Sequence, residues 1–262
     1  MTVQIYAHRG SSAAFAEHTR AAYVQALADG ADGVECDLHL TADGGLVLLH
    51  DDTVDRTSNG TGHVAELTLA QLRELDFSSW KGVPIPPGSG TPAQQLLTLP
   101  ELLEILGGAG RPVGLAIEFK YGAAFDPQLV DATLETLRGR GWSPEHSTAG
   151  KVLVSFMSFH PGAVKYLAGR VPAEHLCQLL QRTMAEGERL LDDGVAHLVG
   201  PGVGYLRANP GNAAKWIAAG RMLRVWTVDT AGDLEGALAA GATQVTTNRP
   251  REIREILGAA AC

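Results

Sequence analysis

Two histidines, three carboxylates, an arginine and a lysine each stand in or just after a short apolar run. Val3–Ala7 is followed by His8-Arg9, and Gly33–Leu38 carries Glu35-Cys36-Asp37. Leu46–Leu49 is followed by His50-Asp51, and Val113–Phe119 ends in Glu118-Phe119-Lys120. Glu35 and Asp37 are two residues apart, so on a strand they point to the same face. Side by side they repel unless a cation or a shared proton compensates. With Glu118 from an adjacent strand they make an all-oxygen donor set, which suits Mg²⁺ or Ca²⁺ better than Zn²⁺. The other reading of the cluster is a pair of salt bridges to Arg9 and Lys120. His8 and His50 change charge near neutral pH, which fits them for general acid and general base work. Either alone reads more readily as a hydrogen-bonded rim residue; the pair beside a carboxylate cluster points to proton transfer. Cys36 alternates away from its acidic neighbours and should face outward as a small apolar residue. Trp226, ending a late apolar run, suits either simple core or a platform at a pocket floor. His146, His160, His175 and His197 have no motif context and read as structural or surface residues.

For these side chains to meet, the elements carrying them must open on one rim. Nine runs read as strands: Val3–Ala7, Gly33–Leu38, Leu46–Leu49, Val113–Phe119, Val152–Phe156, His175–Gln178, His197–Gly200, Leu223–Val228 and Thr243–Thr247. Helical patterns lie between most of them. Thr19–Ala28 follows the first, and Leu99–Leu106 opens with the Thr98/Glu101 capping pattern. Asp126-Pro127 predicts a cap with proline at the first helical position, and His160-Pro161 and Asn248-Arg249-Pro250 start later helices similarly. Thr41-Ala42-Asp43-Gly44-Gly45 is a tight turn with no room for a crossover helix, so Leu46–Leu49 should return antiparallel to the run before it. Setting it aside leaves eight parallel strands with helical crossovers, which is an α/β fold of the TIM (β/α)₈ barrel class. In such barrels the chemistry sits at the C-terminal ends of the strands, where His8, Arg9, Glu35, Asp37, Glu118, Lys120 and Trp226 all fall. The hairpin arm returns His50 to that rim. Residues 41–97 then form an insertion between the second strand and its helix, containing a short helix near Leu69–Leu75 capped by Thr68 and Gln71. His39 and His63 lie in or near it.

The chain has 262 residues, 45% of them hydrophobic, enough for one barrel domain spanning 1–262. Its net charge of −8 repels a phosphate backbone and argues against nucleic acid, while a local cation could still draw in a small anionic substrate. Cys36, Cys177 and Cys262 show neither a disulfide framework nor zinc spacing. No stretch approaches the roughly 20 apolar residues of a membrane span, the N-terminus lacks a signal-like pattern, and no amphipathic membrane helix is evident. A cytoplasmic protein without stable membrane association is expected. The sequence sets no oligomeric state.

The ordered set His8-Arg9-Gly10, Glu17-His18-Thr19, Glu35-Cys36-Asp37, His50-Asp51 with Arg56–Gly60, Glu118-Phe119-Lys120 and the late Val225-Trp226-Thr227-Val228 resembles the glycerophosphodiester phosphodiesterase family along essentially the whole chain. The resemblance implies hydrolysis of a small glycerophosphodiester to an alcohol and glycerol 3-phosphate. It implies His8 and His50 as acid and base, Glu35, Asp37 and Glu118 as ligands of a divalent metal, and Arg9 and Lys120 on phosphate. Glu17 would support the metal or hydrogen-bond the site, and the insertion would cap the substrate. Three positions depart from the family's usual pattern: His18 and Asp229 stand where it commonly has Asn, and Asn248 where it often has Asp. The first should touch the metal or phosphate shell. The other two should concern loop and cap structure more than chemistry. Competing readings are a lysophospholipase D or phospholipase C-like activity on a lipid phosphodiester, and a non-catalytic barrel that binds phosphate or metal.

Overall fold

A computed structural model describes residues 3–122, 124–181 and 185–259; Cys262 lies outside them. The chain runs β1 (Gln4–His8), α1 (Arg20–Ala28), β2 (Gly33–Leu40), β3 (Leu46–Leu48), α2 (Leu69–Leu72), α3 (Leu99–Gly107), β4 (Val113–Phe119), α4 (Gln128–Gly139), β5 (Thr148–Ala149), β6 (Val152–Ser158), α5 (Pro161–Ala168), β7 (Leu176–Leu180), α6 (Ala185–Asp192), β8 (Leu198–Pro201), α7 (Val203–Ala208), α8 (Pro210–Ala218), β9 (Met222–Val225), α9 (Ala231–Ala239), β10 (Gln244–Thr247) and α10 (Pro250–Ala259). Strand order is β1-β10-β9-β8-β7-β6-β4-β2, and β1 also pairs with β2, so the sheet closes on itself. These eight strands are parallel and separated by helices, which is the TIM barrel.

The hairpin forms where the turn chemistry places it. β3 pairs antiparallel with β2, Leu38 opposite Leu48 and Leu40 opposite Leu46. The turn is held by the Gly45 N–H donating to Thr41 Oγ1 at 2.7 Å. The Thr68/Gln71 and Thr98/Glu101 capping boxes both form, although α2 ends at Leu72, short of Leu75. Helix α4 begins at Gln128, one residue later than expected: Pro127 is its N-cap, and Asp126 accepts the Gln128 N–H at 2.9 Å. His175 belongs to a 3₁₀ turn before β7, and the strand expected over Leu223–Val228 stops at Val225. The two-residue β5 and the helix α7 have no counterpart among the expected elements, since both are too short for a periodicity to show.

Strand alternation divides the barrel into two cores. Ile5, Ala7, Val34, Cys36, Leu38, Leu115 and Ile117 face the helices, so Cys36 sits outward among apolar side chains. Tyr6, Ala116, Met157, Cys177, Leu179 and Leu198 fill the barrel interior. Burying a large aliphatic or aromatic side chain contributes roughly 1.5–3 kcal/mol, so this parity is strongly enforced, and it dictates which polar side chains point inward. Between β2 and α3, a separate small cluster of Val47, Leu49, Val54, Val64, Leu72, Phe77 and Leu96 stabilises the loops around the hairpin.

Candidate active site

Three adjacent strands assemble the polar group. Glu35 stands opposite His8 on β1, and Glu118 on β4 stands opposite Asp37 on β2. Because the outward neighbours of all four are committed to the helix-facing core, the four side chains are directed to one interior face. After β1 the chain turns sharply. Gly10 has φ +80°, and a Cβ there would meet the Ala22 carbonyl carbon of α1 at 2.6 Å. Arg9 and His18 both adopt left-handed φ values, 58° and 61°, conformations that cost non-glycine residues of order 1–3 kcal/mol. They are held by hydrogen bonds: the Arg9 N–H donates to Glu35 Oε2 at 3.0 Å, and the His18 N–H donates to the Arg9 carbonyl at 3.1 Å.

Glu35, Asp37 and Glu118 are buried, and each offers an oxygen within 4.8 Å of the others. The anticipated salt bridges do form. Lys120 Nζ lies 2.5 Å from Glu118 and 3.1 Å from Asp37, and Arg9 Nε lies 3.2 Å from Asp37. They do not satisfy the cluster, however, because Glu35 Oε1 and Asp37 Oδ1 are buried without an aligned hydrogen-bond donor. Three carboxylates with two such oxygens fit a hard divalent cation. The electrostatics agree. Burial, then the charges of Asp37 and Glu118, hold the Glu35 carboxyl well above the ordinary range. Burial and Asp37 push Glu118 up to about 7 despite Lys120. Burial also pushes Asp37 upward, but Lys120, the His18 hydrogen bond and Arg9 outweigh it and keep that group ionised.

Both histidines line one cavity of about 320 Å³ with Arg9, Glu35, Glu118 and Lys120. His8 Nδ1 lies 2.8 Å from Asn248 Oδ1, and its Nε2 lies 3.9 Å from Glu35 Oε2. Burial, then the Arg9 charge, lower its pKa to about 4. His50 comes from the end of the hairpin. Its Nδ1 is 2.6 Å from Asp51 Oδ1, and Arg56 donates to both oxygens of Asp51. Burial lowers the His50 pKa as well. Glu17 stands behind Arg9 instead of in the cavity, with both oxygens taken by Arg9 and Arg56. His18 is fully enclosed, its Nε2 2.9 Å from Asp37 Oδ2 and its Nδ1 2.8 Å from the Tyr23 hydroxyl. That departure therefore does sit against the carboxylate group. Trp226 follows β9 directly and packs edge-on to Phe159, its Nε1–H donating to the Gly200 carbonyl at 2.8 Å. With Met157, Phe159 and Leu179 it forms the apolar wall of the cavity.

Two features escaped the sequence reading. Asp229 does hold the loop before α10, accepting the Asn248 backbone N–H, but it also binds the Asn248 side chain, whose Oδ1 lies beside His8 Nδ1. Strand β10 delivers Asn248 beside β1, a juxtaposition set by barrel closure and invisible in local sequence. The second is Arg224, one layer deeper in the cavity. It is 2% exposed, donates to Gln244 Oε1 and Ser155 Oγ, and lies over the Tyr6 ring with no carboxylate partner among the described residues. An Arg inside an apolar strand is the signal that could have drawn attention to it, since such a charge is rarely buried without purpose.

Residues 8–252 match the model of the Glycerophosphoryl diester phosphodiesterase family. The chain is 36% identical over 251 residues to the Mycobacterium tuberculosis protein named "Probable glycerophosphodiester phosphodiesterase 1", covering 94% of this chain and 89% of that one. It is 32% identical over 245 residues to the Bacillus subtilis glycerophosphodiester phosphodiesterase, covering 93% and 83%. Among solved structures, an Oleispira antarctica phosphodiesterase in complex with the product sn-glycerol-3-phosphate superposes with a TM-score of 0.83 at 24% identity, covering 97% of this chain and 96% of that one.

Proposed function

This chain belongs to the glycerophosphoryl diester phosphodiesterase family, and from that premise we propose that it cleaves glycerophosphodiesters to an alcohol and sn-glycerol 3-phosphate, with His8 and His50 moving protons and Glu35, Asp37 and Glu118 holding Mg²⁺ or Ca²⁺. Membership makes it a phosphoric diester hydrolase. The observation that carries the finer reading is the shared cavity: two histidines face it beside three carboxylates, of which Glu35 has a buried oxygen without a donor and Asp37 one met only by the Lys120 ammonium, without an aligned hydrogen bond. The bound Oleispira antarctica product is a ligand of the same class.

A divalent cation held by the three carboxylates would polarise the phosphoryl oxygens and offset charge that builds up on them. Arg9 and Lys120 add fixed positive charge on the same side, where it favours a phosphorane-like transition state over the ground state. His8 is neutral at pH 7, since its pKa lies near 4, and it takes a proton from the attacking hydroxyl. That hydroxyl belongs either to water or to the substrate's own glycerol, through a cyclic phosphate. His50 gives a proton from Nε2 to the departing alkoxide; the Asp51 carboxylate on its Nδ1–H favours the protonated ring, against the burial that lowers its pKa. In-line displacement places the two rings on opposite sides of phosphorus. Trp226 and Phe159 offer apolar faces to the carbon skeleton of glycerol. The insertion over residues 41–97 serves as a cap on the one barrel domain, bringing His50 to the rim and anchoring there through Lys81, which donates to the Ser12 carbonyl at 3.0 Å.

We place the enzyme in the cytoplasm, which suits Cys36 and Cys177 as buried free thiols. Among the described residues no helix is long and apolar enough to cross a membrane. The test is release of sn-glycerol 3-phosphate from several glycerophosphodiesters, with EDTA and with Mg²⁺ or Ca²⁺ restored. Activity lost to EDTA and returned by either ion is expected. Turnover indifferent to EDTA would remove the metal from the proposal. Faster cleavage of lysophosphatidylcholine than of glycerophosphocholine would move the substrate class to lipids. Tight binding of the diester without product would make the barrel a binding protein.

A further inference from the structure

We propose that Asp229 and Asn248 are positioning residues that fix the tautomer of His8, and so decide which of its ring nitrogens offers a lone pair to the cavity. The inference rests on the reading of His8 as a proton-transfer residue. It starts from a line of hydrogen bonds running away from the cavity. His8 Nδ1 lies 2.8 Å from Asn248 Oδ1. Asn248 Nδ2 donates to Asp229 Oδ2 at 2.5 Å. Asp229 Oδ1 accepts the Asn248 backbone N–H at 2.8 Å and the Thr247 hydroxyl at 3.0 Å.

An asparagine amide can be turned over with almost no change of shape, yet its two ends have opposite hydrogen-bonding polarity. A carboxylate only accepts. Asp229 therefore draws the NH₂ end of Asn248 to itself and leaves the amide oxygen facing His8. The Ser12 hydroxyl lies 2.8 Å from the same oxygen and 2.6 Å from the His8 carbonyl, and its one proton is shared between these two acceptors. Opposite that oxygen the ring must carry its proton on Nδ1, because a lone pair there would face a lone pair. Nε2, on the side of Glu35 and the cavity, is then left free to accept a proton. A negative charge two hydrogen bonds from the ring thus acts on it through polarity alone, without contact. His50 has a carboxylate, that of Asp51, directly on its Nδ1, which places a proton there by a shorter route.

The arrangement makes an isosteric substitution informative. In Asp229→Asn the new side chain keeps its oxygen on the Asn248 backbone N–H and the Thr247 hydroxyl, which turns its NH₂ toward Asn248. The Asn248 amide must then turn over, its own NH₂ faces His8 Nδ1, and the ring proton moves to Nε2. In protein with ¹⁵N-labelled histidine, we expect the His8 signals to report Nδ1–H in the wild type and Nε2–H in Asp229→Asn. We expect kcat to fall by roughly 10²-fold or more, as for loss of a general base, with KM changed by no more than about twofold. The double variant Asp229→Asn/Asn248→Asp restores an acceptor opposite Nδ1 and a donor behind it, and should return both the tautomer and most of kcat. A merely structural role would leave the double variant no better than the single one. Asn248→Ala removes the acceptor without touching Asp229 and serves if the first variant does not fold; mixed tautomers are expected there. An unchanged Nδ1–H signal in Asp229→Asn, or in Asn248→Ala, overturns the inference whatever the activity. A tautomer that inverts while kcat holds overturns instead the role given to His8.

Discussion

The two histidines carry different partners, and the difference matters more than their common residue type. His8 is backed by a neutral amide, and His50 by a carboxylate that Arg56 holds in place. On the proposed assignment, replacing either by Ala removes a proton-transfer group, so kcat should fall by about 10²–10⁴-fold while the circular dichroism spectrum stays that of the wild type. Near-normal turnover in either variant would end the acid–base assignment. Glu118 allows a second expectation at this scale. With its pKa pushed up to about 7, the carboxyl is about half protonated at neutral pH and mostly protonated below it when no metal is bound. A cation must displace that proton, so its apparent affinity should weaken as pH drops below about 7, approaching tenfold per pH unit for one proton. Isothermal titration of Mg²⁺ or Ca²⁺ across pH 6–8 measures this; an affinity flat over that range would contradict it.

At the level of elements, the turn leaving β1 is the part with least freedom. It reverses within Arg9 and Gly10, passes against Ala22 of α1, and turns a backbone N–H onto Glu35. Gly10→Ala would place a methyl group 2.6 Å from the Ala22 carbonyl carbon in a left-handed conformation. Adding backbone strain to forced repacking gives an expected loss of roughly 2–5 kcal/mol of stability, read as a lower urea midpoint with an unchanged slope. A loss under about 0.5 kcal/mol would mean that the turn relaxes freely. The hairpin is the complementary case. Its pairing was readable because a five-residue turn excludes a parallel crossover, whereas the short β5 and α7 carried no such constraint.

For the whole molecule, the barrel mouth concentrates charge that burial makes costly. Glu35, Asp37 and Glu118 are answered by Arg9 and Lys120 in direct contact, with Arg224 deeper inside. The folded-state pKa values of Glu118 and Glu35 are raised. The stability tied to their protons is thus complete below the ordinary carboxylate range and lost as pH rises through about 7 for Glu118. His8, whose pKa is lowered, acts in the opposite sense, but only between about 4 and 6.5. The thermal midpoint of metal-free protein should therefore fall as pH increases from about 6.5 past 7. A divalent ion should reverse this, adding about 2.7 kcal/mol at a concentration 100 times its Kd. For a chain of this length that is roughly 5–10 °C. A midpoint insensitive to both EDTA and added Mg²⁺ or Ca²⁺ would argue against a metal in the mouth.

The barrel class, the antiparallel arm, the outward Cys36 and the inward Glu35 and Asp37 were all legible in the sequence, because strand alternation and turn length are local properties that burial enforces along the chain. The candidate proton-transfer and metal residues were legible for the same reason, each lying at or near the end of a strand. What stands beside what across the closed sheet was decided only in three dimensions. Arg224 beneath the cavity, Arg56 locking Asp51 to Glu17, and Asp229 acting on His8 through Asn248 all join residues whose contact no local pattern encodes. Asn248 is 240 residues from His8. The two meet because the last strand of the barrel pairs with the first, and that closure depends on the registers of all eight strands together.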